Sequence, residues 1–138
     1  MEIITNSSKE TEEVGEKFAK DLKAGDVVAL YGSLGAGKST FVRGVAKGLK
    51  ITKKITSPTF VFIKSYKMGK IQLDHIDLYR GENIKDLDAL GLDEIFSTNS
   101  IVMIEWAQNI KDSLPKKRID VKIETINENS RKITITRN

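Results

Sequence analysis

An α/β fold with a mixed, mostly parallel central sheet and antiparallel hairpins is what this 138-residue sequence predicts, and three observations predict it. The apolar run Val27-Val28-Ala29-Leu30-Tyr31 leads into Gly32-Ser33-Leu34-Gly35-Ala36-Gly37-Lys38-Ser39. After it come Phe41, Val42, Val45, Ala46 and Leu49 at helical spacing, so that strand, glycine-rich loop and helix follow one another. A second apolar run, Ile101-Val102-Met103-Ile104, shows no alternation, the mark of a strand covered on both faces. Two stretches, 60–78 and 119–137, read as strand pairs joined by short turns, which adds antiparallel ladders to the sheet. Together these give a three-layer fold of the P-loop NTPase type, one domain over residues 1–138.

Taken in order, Glu2–Thr5 reads as a short strand. Ser7 and Glu10 stand at capping-box spacing and open a helix. Val14, Phe18 and Leu22 give that helix one apolar stripe, supported by Ala19, and Gly25 is placed to end it as the C′ residue. The helix after the glycine loop runs to about Leu49. Pro58 ends any helix before it and holds Ser57 extended. Phe60–Tyr66 and Ile71–Leu78 read as strands around a turn at Met68-Gly69-Lys70. Asn83 is placed to cap a helix through Leu87 and Leu90, and Leu92, Ile95 and Phe96 continue an apolar face. After the Ile101–Ile104 strand a short helical piece is stopped at Leu114-Pro115. Ile119, Val121 and Ile123 alternate with Asp120, Lys122 and Glu124, a half-exposed strand. A turn at Asn127–Ser130 then joins it to an alternating stretch from Lys132 to Arg137.

Composition excludes more than it selects. There is no cysteine, so disulfides and thiolate metal sites are ruled out. No apolar run reaches membrane-spanning length, and Met1–Asn6 lacks the pattern of a secretory signal, so the cytoplasm is expected. The net charge of +4 is mild and scattered, with one local cluster at Lys116-Lys117-Arg118, and reads as a solvated surface.

The chemistry lies in the loop. Gly32 to Ser39 fits G-x-x-x-x-G-K-[ST], the phosphate-binding P-loop. Gly32, Gly35 and Gly37 allow a tight turn with the backbone close to an anion, and the N–H groups of loop and helix start point at phosphates. Lys38 supplies a positive charge and Ser39 a hydroxyl for Mg²⁺. Such a loop needs acids. Glu105 ends the second apolar strand in the Walker-B manner, and Asp77 closes a hairpin strand; ligands of open α/β sheets bind beyond such strand ends. Asp74 reads as an ordinary surface acid. Ser57 and Thr59 lie in the connection that senses the γ-phosphate in P-loop switch proteins, with a plain Pro58-fixed loop as the alternative. Arg80 is the best-placed arginine for a phosphate contact. His75, the sole histidine, reads as a strand histidine in a hydrogen-bonded or surface setting rather than a metal ligand, and Trp106 as packing at the core rim. No N-K-x-D or L-S-G-G-Q segment and no arginine-rich lid are present, which disfavours a Ras-like GTPase, an ABC ATPase and a nucleotide kinase.

Gly32 to Phe41, Ser57-Pro58-Thr59-Phe60, His75-Ile76-Asp77-Leu78-Tyr79-Arg80, Leu90-Gly91-Leu92-Asp93-Glu94-Ile95-Phe96 and Ile104-Glu105-Trp106, in this order and spacing, closely resemble the TsaE (formerly YjeE) family, over nearly the whole chain. The resemblance implies a small bacterial ATPase needed to make threonylcarbamoyladenosine in tRNA. It implies binding to the complex of the threonylcarbamoyl transferase (TsaD) and its paralogous partner (TsaB), which ATP hydrolysis resets. It further implies that Gly32 and Leu34 to Thr40 (Leu34, Gly35, Ala36, Gly37, Lys38, Ser39, Thr40) bind the phosphates and that Ser39 and Glu105 ligate Mg²⁺. Asp77 is implied as an acid needed for hydrolysis. Lys9 and, more loosely, Arg131 would touch the nucleotide. Ser57 and Thr59 match the switch-like segment, with Arg80 and Trp106 as further switch or partner residues. Two positions depart from the family pattern: Ser33 is usually Asp there, and Ser39 is usually Thr. A nucleotide-dependent switch without useful turnover and a small-molecule kinase stay as alternatives.

Overall fold

A computed structural model of the protein describes residues 1–33, 35–52, 63–78, 95–96 and 99–138. The elements are β1 (Glu2–Thr5), α1 (Ser8–Ala19), β2 (Val27–Tyr31), α2 (Lys38–Gly48), β3 (Ile63–Met68), β4 (Ile71–Asp77), β5 (Ile101–Glu105), a 3-10 helix (Ala107–Ser113), β6 (Ile119–Thr125) and β7 (Arg131–Arg137). The expected helix from Asn83 lies outside the described residues. So do the first three residues of the strand expected at Phe60.

The strands form one seven-stranded sheet in the order β1-β7-β6-β2-β5-β4-β3. The run β6-β2-β5-β4 is parallel, and antiparallel hairpins close it on both sides, β3 against β4 and β7 against β6, with β1 antiparallel to β7. The sheet is thus mixed, as expected. The β3–β4 hairpin does not touch β2 directly, because the fully buried β5 takes that place.

Each central strand feeds two cores, as its unbroken apolar run requires. Val28 and Leu30 join Met103, Val121 and Ile133 under the helices, whereas Val27 and Ala29 join Val102, Ile104 and Ile76 on the other face. That second face is covered by Ala107, Ile110 and Leu114, with Ile95 and Phe96 packed alongside. Phe41 of α2 is fully buried and meets Phe18 of α1 at 5.4 Å between ring centroids. Truncating a side chain so placed costs about 3–5 kcal/mol. The two helices approach closely at glycines: a Cβ on Gly44 would stand 2.0 Å from the Glu12 carbonyl oxygen, and one on Gly15 2.4 Å from that of Phe41.

Local signals set the helix starts. Ser7 Oγ accepts the Glu10 N–H at 3.1 Å, and the Glu10 carboxylate reaches back to the Asn6 N–H at 2.7 Å. Helix α1 stops sooner than expected. Lys20, Asp21 and Leu22 donate to carbonyls three residues back, a 3-10 tightening that returns Leu22 to the core. Gly25 is therefore not its C′ residue; it sits at φ 94° in the turn before β2 and donates to Ser100 O. No helix among the described residues is long and apolar enough to cross a membrane.

Candidate functional site at the strand ends

Three parallel strands end side by side. Leu30 of β2 pairs with Glu105 of β5, which pairs with Asp77 of β4. The loop after β2 therefore starts beside two carboxylates that are 28 residues apart in the chain (105 − 77) and adjacent in the sheet.

The loop geometry depends on its glycines. Gly37 caps α2 at φ 104°, a left-handed conformation that an L side chain rarely adopts. At Gly32 the reason is space: a Cβ there would meet the Ile123 carbonyl oxygen at 2.7 Å. No side-chain hydrogen bond caps α2 at Gly37, and the first N–H groups of a helix have no acceptor within it. Lys38 opens the helix and folds back. Its ammonium donates to the Gly32 carbonyl and to Ser33 O at 3.3 Å, and lies 3.8 Å from the centre of the Trp106 ring. Only 5% of Lys38 is exposed. Burial pulls its pKa below the ordinary lysine value, while the charges of Glu105 and Asp77 act in the opposite direction. Lys38, Glu105 and Asp77 thus form one electrostatic cluster. Trp106 adopts φ 60°, ψ 40°, and this left-handed residue turns the chain directly after Glu105.

Glu105 is 3% exposed and its Oε2 lies 2.5 Å from His75 Nε2. Asp77, at the rim, is half-buried. One expectation narrows here and one changes. Of its two expected settings His75 takes the hydrogen-bonded one, buried against Glu105. Asp74 is not a surface acid: it is 4% exposed and accepts from Ser65 Oγ (2.6 Å), Ser100 Oγ (2.6 Å) and Gln72 Nε2 (2.9 Å). Alternation along a strand gives a side chain's face. It does not tell what packs over that face, so neither burial was readable in the sequence.

On the other flank of the loop a small open cavity of about 120 Å³ is lined by Ser7, Ser8, Thr11, Gly35, Gly37, Thr40, Glu128, Asn129 and Arg131. Arg131 joins hairpin to loop: Nε donates to Ala36 O (3.1 Å), Nη2 to Gly35 O (3.5 Å), and Nη1 to carbonyls of Asn127, Glu128 and Ser130. Lys9 is exposed on α1 and its neighbours Ser8 and Thr11 line the cavity instead. Glu128 and Asn129 arrive from a turn whose sequence signals only a turn. Leu34, Ser57, Thr59 and Arg80 lie outside the described residues.

Ser39 and Thr40 follow Lys38 in the first turn of α2. No cluster of three or more His, Cys, Asp or Glu able to hold a metal exists among the described residues. Magnesium is ordinarily held by one or two carboxylates plus phosphate oxygens, and the hard oxygens of Ser39, Glu105 and Asp77 with an anion cradle suit that donor set.

A buried parallel strand, a left-handed glycine loop opening a helix, and acids at the neighbouring strand ends define the class: an α/β protein of the P-loop NTPase type. The family model described as threonylcarbamoyl adenosine biosynthesis protein TsaE matches residues 5–133. Proteins named tRNA threonylcarbamoyladenosine biosynthesis protein TsaE are similar to it along their lengths. The one from Bacillus subtilis is 42% identical over 96% of this chain and 82% of its own. The one from Aquifex aeolicus is 38% identical over 99% and 96%, and that from Treponema pallidum 33% over 98% and 99%. The crystal structure of Bacillus subtilis YdiB superposes with a TM-score of 0.85 at 37% identity, covering 99% of this chain and 84% of that one. The chain belongs to the TsaE family.

Proposed function

We propose that this chain is a magnesium-dependent ATPase of slow intrinsic turnover that serves threonylcarbamoyladenosine modification of tRNA. In this reading it binds the threonylcarbamoyl transferase TsaD and its paralogous partner TsaB, and hydrolysis of ATP resets that complex. Family membership supports the pathway, since the relatives carry that name. The observation that carries the chemistry is the convergence of Lys38, Glu105 and Asp77 where β2, β5 and β4 end.

The roles follow from the groups. Loop and α2 N–H groups hold phosphate oxygens, and Lys38 exchanges its carbonyl partners for them. Ser39 and Glu105 are the ligands for Mg²⁺, which when bound offsets charge on the β- and γ-phosphates. Asp77, more exposed than Glu105, orients the attacking water and accepts its proton. The cavity between α1 and the β6–β7 turn receives the base and sugar. Arginine fingers contribute on the order of 10³–10⁵ in rate. Arg131 is instead engaged by five backbone carbonyls and serves as a clamp, in keeping with slow turnover.

The test mixes purified chain with TsaD and TsaB, and follows complex formation by gel filtration and hydrolysis of labelled ATP in a single turnover. A complex whose formation changes the hydrolysis rate is expected. Neither complex nor hydrolysis would sink the proposal, and a complex without hydrolysis would leave a nucleotide-dependent binding switch.

A further inference from the structure

We infer that His75 is the positioning residue for Glu105, holding the carboxylate in the orientation that serves a magnesium–nucleotide complex; the inference rests on the function proposed above. His75 is 1% exposed and bonded through Nε2 to Glu105 Oε2 at 2.5 Å. A carboxylate that holds a cation is ionised and can only accept, so Nε2 carries the proton and donates. His75 Nδ1 is buried and has no hydrogen-bond partner among the described residues. The ring is thus committed to the protein through one bond, and that bond goes to Glu105.

The strand geometry says why a histidine is needed. His75 pairs with Met103 and Glu105 with Asp77, so the two residues stand diagonally across a parallel ladder. An imidazole spans that diagonal with a rigid ring and few rotatable bonds. Its bond takes one oxygen of Glu105, which leaves the other for a cation. Without it, a glutamate at the last position of its strand, next to the left-handed Trp106, keeps several rotamers. Histidine–carboxylate contacts behind metal ligands tune metal affinity by 10–100-fold.

The experiment titrates ADP into full-length protein, in EDTA and in Mg²⁺, for wild type, His75→Leu, His75→Gln and His75→Asn, with Tm recorded for each. Gln can place an N–H donor at the Nε2 position, whereas Asn falls short. Metal-free ADP affinity is expected to stay within about twofold in all four. The gain on adding Mg²⁺ should fall by about tenfold or more in His75→Leu and His75→Asn and be largely kept in His75→Gln. In a Glu105→Gln background the three changes should have no further effect on that gain. If His75→Leu does not fold, the Gln–Asn pair decides. An unchanged magnesium response in His75→Asn, or equal losses in the Gln and Asn variants, overturns the assignment of His75 alone. A wild type with no magnesium-dependent nucleotide binding overturns the proposed function and the role of His75 with it.

Discussion

Asp74 and Glu105 are both buried acids, one in β4 and one at the end of β5, and the protein treats them in opposite ways. Three neutral donors from Ser65, Gln72 and Ser100 satisfy Asp74 away from the loop. Glu105 has a bond from His75 and the field of Lys38. A buried acid surrounded by donors locks strands together, while one with oxygen capacity to spare, beside a cation and a glycine loop, suits the proposed chemistry. Stability and function should therefore separate between them.

The largest effect expected is at Lys38. Lys38→Ala should lower ATP turnover by on the order of 10³-fold, read by a steady-state phosphate-release assay. A variant that hydrolyses normally would remove Lys38 from the site. Next, Glu105→Gln should lower magnesium-dependent turnover by on the order of 10²-fold while ADP still binds in EDTA. Its Tm should fall less than that of Asp74→Ala, because the amide keeps the shape and hydrogen-bonding capacity of the carboxylate and Asp77 still faces Lys38. Asp74→Ala should do the reverse, losing about 2 kcal/mol, or roughly 6 °C in Tm, by removing the acceptor of three hydrogen bonds. Its turnover per folded molecule should not change. Equal Tm losses at the two acids would break the contrast.

The smallest effect concerns pH. The folded pKa of Lys38 lies below 10.5, so between those two values the unfolded chain binds more protons than the folded one. Stability relative to Lys38→Met should therefore rise with pH across that window, measured as the difference in Tm. A difference that is flat or falls would show that the ammonium is not desolvated in the fold.

Much of the architecture was legible because it is written locally. The capping residues Ser7 and Glu10, the period-2 alternation of β6 and the glycine loop before α2 each appear where the sequence places them. So do the turn at Gly69 and the unbroken apolar β5. Misreadings arose where a contact decided the outcome. Helix α1 stops at Ala19 because Leu22 is drawn back to the core, and no residue signals that locally. Of the site, Lys38, Asp77 and Glu105 could be named from motif and strand ends. The cavity lining from Glu128 and Asn129, which lie some 90 positions beyond the loop, could not.

The sequence alone determined the strand, glycine loop and helix in succession and the periodicity of the elements, since both depend on residues within a few positions of one another. Strand order was decided only in the tertiary structure, and with it the facts that matter most for the site. By inserting β5 between β2 and β4, the fold buries His75 against Glu105, satisfies Asp74 through Ser100 and places Asp77 beside both. Those are pairings across a sheet. Their energy depends on which strand lies next door, and a one-dimensional pattern does not contain that.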